Sequence, residues 1–147
     1  MSEMVFSLDL DAPVDDLMRT ITDYENISKF LPDQLKNIEV IQKENNKTVT
    51  RETIFFSTLI KKPFEQESIH EIIEPNKIET TISSGPAKGS KINLILEKNE
   101  TGTNVSVKIN LKLSLKAIFL QPIIKKWYKR ILTSSLYKMN NLINNNQ

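Results

Sequence analysis

The sequence contains no cysteine, a single histidine, three glycines and no acidic residue after Glu100. Each scarcity removes a class of explanation. Without cysteine there is no disulfide framework and no thiolate metal site, a composition that suits a reducing compartment. With one histidine, no His/Asp/Glu cluster has metal-ligand spacing, so neither a metal nor another cofactor is expected. No apolar run exceeds five residues, whereas a bilayer-spanning helix needs about 20. No basic–apolar–small pattern opens the chain, so no signal peptide is expected. The expected location is cytoplasmic, with peripheral membrane contact left open. Asn-x-Ser/Thr sequences at Asn26, Asn46, Asn99 and Asn104 then carry no glycosylation meaning. GPAKGSK has the wrong glycine spacing for a phosphate loop, and no nucleophile elbow is present.

Charge is lopsided. Residues 1–100 carry 12 basic and 18 acidic side chains, while residues 101–147 carry 8 basic and none acidic. Such a split marks either a surface that meets anions, on phospholipid or nucleic acid, or complementarity between the two parts of the chain. The segment LKAIFLQPIIKKWYKRIL, residues 115–132, concentrates both cations and apolar residues.

The 147 residues suit one domain, 1–147, with a frayed polar tail at 144–147. EMVFSLDL alternates, with Phe6, Leu8 and Leu10 on one face. Asp11 is expected to cap a short helix carrying Asp15 and Asp16 in its first turn, where they complement the helix dipole. YENISKFL suggests a second short helix ending at Pro32. From Leu35 the period changes to two, and six strands follow: LKNIEVIQK, NNKTVTRETIFFSTLI, FEQESIHEII, KIETTIS, KINLILEK and TNVSVKINLKLSL. Short turns between them argue for an antiparallel meander. In the last strand Val105, Val107, Ile109, Leu111, Leu113 and Leu115 share a face. The third strand, TVTRETIFFSTLI, has apolar residues on both faces and an open register.

After Pro122 the period returns to 3.6. Ile124, Trp127, Tyr128, Ile131, Met139 and Leu142 form a stripe, with Lys125, Lys126, Lys129 and Arg130 opposite. The expected fold is α+β: a seven-stranded curved antiparallel sheet gripping a long C-terminal helix, with two short helices after strand one.

DAPVDDLMRTITDYENISKFLP resembles the N-terminal signature of the START-like, or SRPBCC, superfamily, whose fold is the helix-grip. SSGPAKGSKINLILE is similar to the hairpin before the penultimate strand in its polyketide-cyclase/coenzyme-Q-binding branch, although an aromatic common in that branch's sixth strand is absent. The resemblance implies a cavity between sheet and helix for an apolar ligand such as a lipid, isoprenoid quinone or polyketide. Fold alone does not choose among carrier, cyclase and ribosome-contacting members.

On this reading the cavity wall comprises Gln66, Ser68, His70, Leu94, Leu96, Val107, Ile109, Leu111, Leu113, Trp127, Ile131 and Ser135. His70 is the candidate acid or base, though no partner carboxylate can be named, and a hydrogen-bonded interior histidine is the simpler reading. Ser135 is expected to bond the carbonyl four residues back, or else a ligand head group. The expected function is non-enzymatic binding or transport of a hydrophobic ligand. Lys125, Lys126, Lys129 and Arg130 would dock reversibly on an anionic membrane. A cyclase or aromatase using His70, and an RNA- or ribosome-associated regulator, are the alternatives.

Overall fold

A computed structural model of the chain describes residues 2–35, 37–55 and 63–145. Strand β1 (Ser2–Leu10) leads into helix α1 (Val14–Ile21) and two 3-10 turns (Ile27–Phe30 and Asp33–Leu35). Strands β2 (Asn37–Lys43), β3 (Lys47–Ile54), β4 (Phe64–Glu74), β5 (Lys77–Ile82), β6 (Lys91–Lys98) and β7 (Thr103–Leu111) follow. A 3-10 turn (Ile118–Leu120) then enters helix α2 (Gln121–Asn145). The sheet order is β1-β7-β6-β5-β4-β3-β2, antiparallel throughout. Register shifts at Val40/Gln42 and Ile72/Glu74 bend the strands, as bulges do.

Alternation sets the faces. In β7 Val105, Val107, Ile109 and Leu111 are buried, and in β1 Leu10 is buried while Glu3, Val5, Ser7 and Asp9 are exposed. On the outer face, charged side chains pair across strands: Lys108 with Glu3 (3.5 Å), Lys91 with Glu79 (3.2 Å) and Arg51 with Glu67 (3.9 Å). The first of these joins the basic end of the chain to its acidic start.

Several expectations need correction. Asp11 is not the cap: Pro13 occupies that position, without a side-chain bond to the helix, and Asp15 and Asp16 lie in the first turn. YENISKFL does not form an α-helix but contributes a four-residue 3-10 turn. Strand β7 stops at Leu111, which pairs with Ser2 of β1, and β6 begins opposite Asn110. The Ser90 hydroxyl then accepts from Lys112 N–H (2.9 Å) and donates to Lys112 C=O (3.0 Å). Leu113 is therefore only partly buried, and Leu115 is 90% exposed. Strand β3 ends at Ile54, and the expected continuation over 56–60 lies outside the described residues. At the other end α2 includes Asn144 and Asn145, while 146 and 147 lie outside the described residues.

On α2 the buried side chains are Ile124, Ile131, Ser135, Leu136, Met139 and Asn140, and Leu142 is exposed instead. Asn140 faces inward for a reason sequence periodicity does not contain. Its Oδ1 accepts from the buried Ala12 N–H at 2.8 Å, and Thr103 Oγ1 donates to Ala12 C=O at 2.7 Å. Between them these two bonds satisfy the backbone where β1 turns into α1, and they pin that corner to α2 and β7. Gly102 is required beside it, since a Cβ there would lie 2.3 Å from the Leu10 carbonyl oxygen.

Asn140→Ala should leave the Ala12 N–H buried without an acceptor and cost about 1–3 kcal/mol in urea unfolding. A loss no larger than that of the exposed neighbouring change Asn141→Ala would show that the bond contributes no stability.

Candidate functional site

Strand β3 must bury either its even- or its odd-numbered residues. The odd set contains Lys47 and Arg51, and Arg51 sits opposite Glu67 of β4. Leaving that pair in water turns Thr48, Thr50, Glu52 and Ile54 inward, all buried. The same alternation on β4 turns Gln66, Ser68 and His70 inward and leaves Glu65 and Glu71 exposed. The ladder places Glu52 opposite Gln66, Thr50 opposite Ser68 and Thr48 opposite His70. A polar patch is thereby built into the concave face.

The patch is connected. Thr50 Oγ1 donates to Glu52 Oε1 (3.2 Å) and lies 2.8 Å from His70 Nε2, while His70 Nδ1 lies 2.7 Å from Thr80 Oγ1. With Glu52 as the carboxylate acceptor, each hydroxyl has one proton to give. Thr50 must then accept from His70 Nε2–H, and Thr80 must donate to Nδ1. The Tyr24 ring stacks on the imidazole, 4.3 Å between centroids. Tyr128, from α2, reaches Gln66 and stands near Glu52.

Burial governs the protonation states. It pushes the Glu52 carboxyl up to about 7, against the lowering effect of the Ser68 and Thr50 hydroxyls. It pushes His70 down to about 4 and the Tyr128 phenol up to about 12. The Tyr24 phenol is raised by burial as well. At neutral pH His70 is therefore neutral, with both ring nitrogens engaged by threonine hydroxyls, and is poorly placed to act alone as acid or base.

Between this patch and α2 lies a cavity of about 170 Å³. Seven of the twelve residues expected in its wall line it: Gln66, Ser68, His70, Leu94, Trp127, Ile131 and Ser135. Leu96, Val107, Ile109, Leu111 and Leu113 do not. They belong to the packed β1–β7–β6 end of the sheet, where Leu10, Leu17, Phe30 and Met139 close over them. Ser135 does line the cavity, yet its hydroxyl donates not to the preceding helical turn but to Phe30 C=O at 3.2 Å, tying α2 to the first 3-10 turn. Sequence reasoning missed Thr50, Glu52, Thr80 and Tyr24. The signal for Glu52 was available in the cross-strand charge match of Arg51 with Glu67, which fixes the face of β3. Among the described residues no group of three His, Asp or Glu side chains could hold a metal.

The four cations singled out on α2 lie away from the cavity wall. Lys126, Lys129 and Arg130 are exposed and Lys125 is partly buried. Lys129 Nζ sits 5.4 Å above the Phe6 ring.

A family model described as polyketide cyclase/dehydrase and lipid transport matches residues 10–136. No curated protein matches the sequence at a significant level. Among solved structures, TTHA0849 from Thermus thermophilus is 16% identical, with a TM-score of 0.79 over 97% of both chains. The Zhui aromatase/cyclase from Streptomyces sp. R1128 is 8% identical, with a TM-score of 0.77 over 97% of this chain and 93% of that one. Norcoclaurine synthase from Thalictrum flavum is 11% identical, with a TM-score of 0.75 over 97% of this chain and 86% of that one. At such identities the likeness is one of fold.

The two buried titrating groups should act on stability in opposite directions. Glu52 binds its proton more tightly folded than at its ordinary 4.5, so its contribution is full below pH 4.5 and is lost as pH rises through about 7. His70 binds its proton less tightly folded than at its ordinary 6.5, so its contribution is full above pH 6.5 and is lost as pH falls through about 4. Their slopes oppose each other in the overlapping window. Relative to the parent, Glu52→Gln should gain stability as pH rises from 4.5 to 7, on the order of 3 kcal/mol in all at about 1.4 kcal/mol for each pH unit crossed. His70→Asn should gain, relative to the parent, as pH falls from 6.5 to 4. Flat difference curves in urea unfolding across this range would show that neither group is desolvated.

Proposed function

Since the chain belongs to the polyketide cyclase/dehydrase and lipid transport family, we propose that it binds a small hydrophobic molecule between the concave sheet and α2 of its helix-grip fold. The observation that carries this reading is the cavity itself. Its walls are mostly aliphatic and aromatic, from Ile54, Ile78, Ile82 and Leu94 on the sheet to Trp127 and Ile131 on the helix. Left unfilled, 170 Å³ costs about 4 kcal/mol at roughly 24 cal/mol per Å³. Against a total stability of about 5–15 kcal/mol that is a large standing cost, and an occupant would offset it. The volume is close to the roughly 150 Å³ at which an engineered apolar cavity takes up benzene. It favours a compact ligand, or the leading part of a longer one.

A specific surface feature favours reversible membrane docking as a second element of the function. Leu115 (90% exposed), Ile118 (51%) and Phe119 (74%), with Ile123 (46%) in the first turn of α2, make an apolar knuckle at the entry to that helix. Exposed Lys116 lies within it, and Lys126 and Arg130 continue the helix face from Ile123 at three- and four-residue steps. The apolar stripe of α2 is occupied by the core, so insertion falls to this knuckle while the cations meet anionic head groups. Burying a side chain such as Leu115 in lipid contributes about 1.5–3 kcal/mol. Each cation adds about 1 kcal/mol, a total suited to reversible association.

Mass spectrometry of an organic extract of the purified protein, against a blank-column control, should recover a stoichiometric apolar compound. An empty extract, together with no change in Trp127 fluorescence on titrating small apolar molecules, would overturn the ligand reading.

In flotation with phosphatidylserine-containing liposomes, Leu115→Asp/Phe119→Asp should abolish binding. Replacement of Lys125, Lys126, Lys129 and Arg130 by Gln should remove its dependence on anionic lipid. Unchanged flotation of both variants would sink the docking idea.

A further inference from the structure

Two oxygens in the cavity wall accept no hydrogen bond among the described residues: Glu52 Oε2 and Gln66 Oε1. Their residues are direct partners across the β3–β4 ladder, 7% and 5% exposed, and both line the cavity. Facing residues on one side of an antiparallel pair hold their Cβ atoms about 4.5–5.5 Å apart, so the two acceptors address one region. A buried acceptor without a donor is costly, and a pair of them at the same place is a stronger departure from normal protein interiors. Among the described residues no Lys or Arg lines the cavity, so none of them balances the carboxylate. Of the hydroxyls beside Glu52, that of Thr50 donates to Oε1. Ser68, whose hydroxyl also favours the carboxylate, and Tyr128, which reaches Gln66, are the wall donors with which a ligand would compete.

Taking the cavity as the ligand site proposed above, we propose that Glu52 and Gln66 form its head-group subsite, and that the ligand is a small apolar molecule whose polar end donates hydrogen bonds: a protonated amine first, a hydroxyl second. An ammonium group has three donors. One would go to Glu52 Oε2 and one to Gln66 Oε1, and its charge would neutralise the carboxylate inside a medium that screens poorly. A hydroxyl supplies one donor and no charge. A carboxylate head would set anion against anion and acceptor against acceptor. A carbonyl head brings no donor at all, so a quinone ranks below either. The competing arrangement needs no ligand: a protonated Glu52 giving its hydrogen to Gln66 Oε1 would satisfy both oxygens.

Trp127, the chain's single tryptophan, lines the same cavity and reports occupancy by fluorescence. Octylamine, octanol and octanoate, titrated at pH 8 below their micelle concentrations, share one tail and differ only in the head. Octylamine should bind tightest and octanoate at least about tenfold more weakly, the scale of one charge-assisted hydrogen bond. Glu52→Gln should weaken octylamine by about tenfold or more and leave octanol within about threefold. Gln66→Leu, which removes the second acceptor without touching the charge, should also weaken octylamine and stands in if Glu52→Gln does not fold. Octanoate binding as tightly as octylamine, or octylamine affinity unchanged in both variants, would overturn the subsite while leaving the cavity reading standing. No binding by any of the three probes would overturn the subsite and, with an empty organic extract, the cavity reading as well.

Discussion

A helix of 25 residues is about 37 Å long but only about 10 Å wide. Six spacings of about 4.8 Å make a seven-stranded sheet about 29 Å broad. One α2 cannot shield such a sheet laid flat, and the sheet must curl toward it. The register shifts in β2–β3 and β4–β5 help by bending the strands. Where α1 and the first 3-10 turn also arrive, at the β1–β7–β6 end, the concave face is filled by Leu17, Phe30 and Met139. Toward β3, β4 and β5 fewer of the described residues fill it, and the cavity lies there. The cavity is thus a consequence of covering a broad sheet with one helix and a short one.

The polar character of the cavity's sheet side follows from a constraint on the opposite face. Antiparallel pairing sets Arg51 beside Glu67, and keeping that pair in water commits every second residue of β3 and β4 to the interior. Glu52, Gln66, Ser68 and His70 come inward as a set. Hydroxyls of Thr50 and Thr80 satisfy the imidazole completely and Glu52 in part. What is left over, one oxygen on Glu52 and one on Gln66, is confined to the cavity wall. A half-satisfied polar group is tolerable where a ligand can finish the job and a liability elsewhere, which is why its position matters more than its energy.

Much of this was legible in the sequence. The strand alternation, the return to a 3.6 period after Pro122 and the order of elements were enough for the architecture, because each is a local pattern repeated over many residues. His70, Gln66 and Ser68 were placed together for the same reason: they share one strand. What escaped was set by pairing between strands or by the end of a pairing. β3 has apolar residues on both faces, so Glu52 could be oriented only by reference to β4. Leu113 and Leu115 continue the alternation of β7 perfectly, yet they lie beyond its last residue, Leu111, and Leu115 is left in solvent. Asn140 is buried to satisfy an amide 128 residues away, which no window of sequence contains.

The exposed leucine links the two proposed elements of function. The knuckle at 115–123 runs directly into α2, and Trp127, the first cavity-lining residue of that helix, is one turn beyond Ile123. Farther along α2, Ser135 is bonded to Phe30 and Asn140 to Ala12, and these two bonds fasten its later half. A pull on the knuckle would act first on the packing around Ile124, Trp127 and Tyr128, which are themselves cavity wall or its neighbours. On the proposed docking, lipid contact is made at the end of the helix whose displacement would uncover the cavity, while the fastened half keeps the rest of α2 in the grip of the sheet. The position of those two bonds along one helix thus bears on which end of the cavity can open.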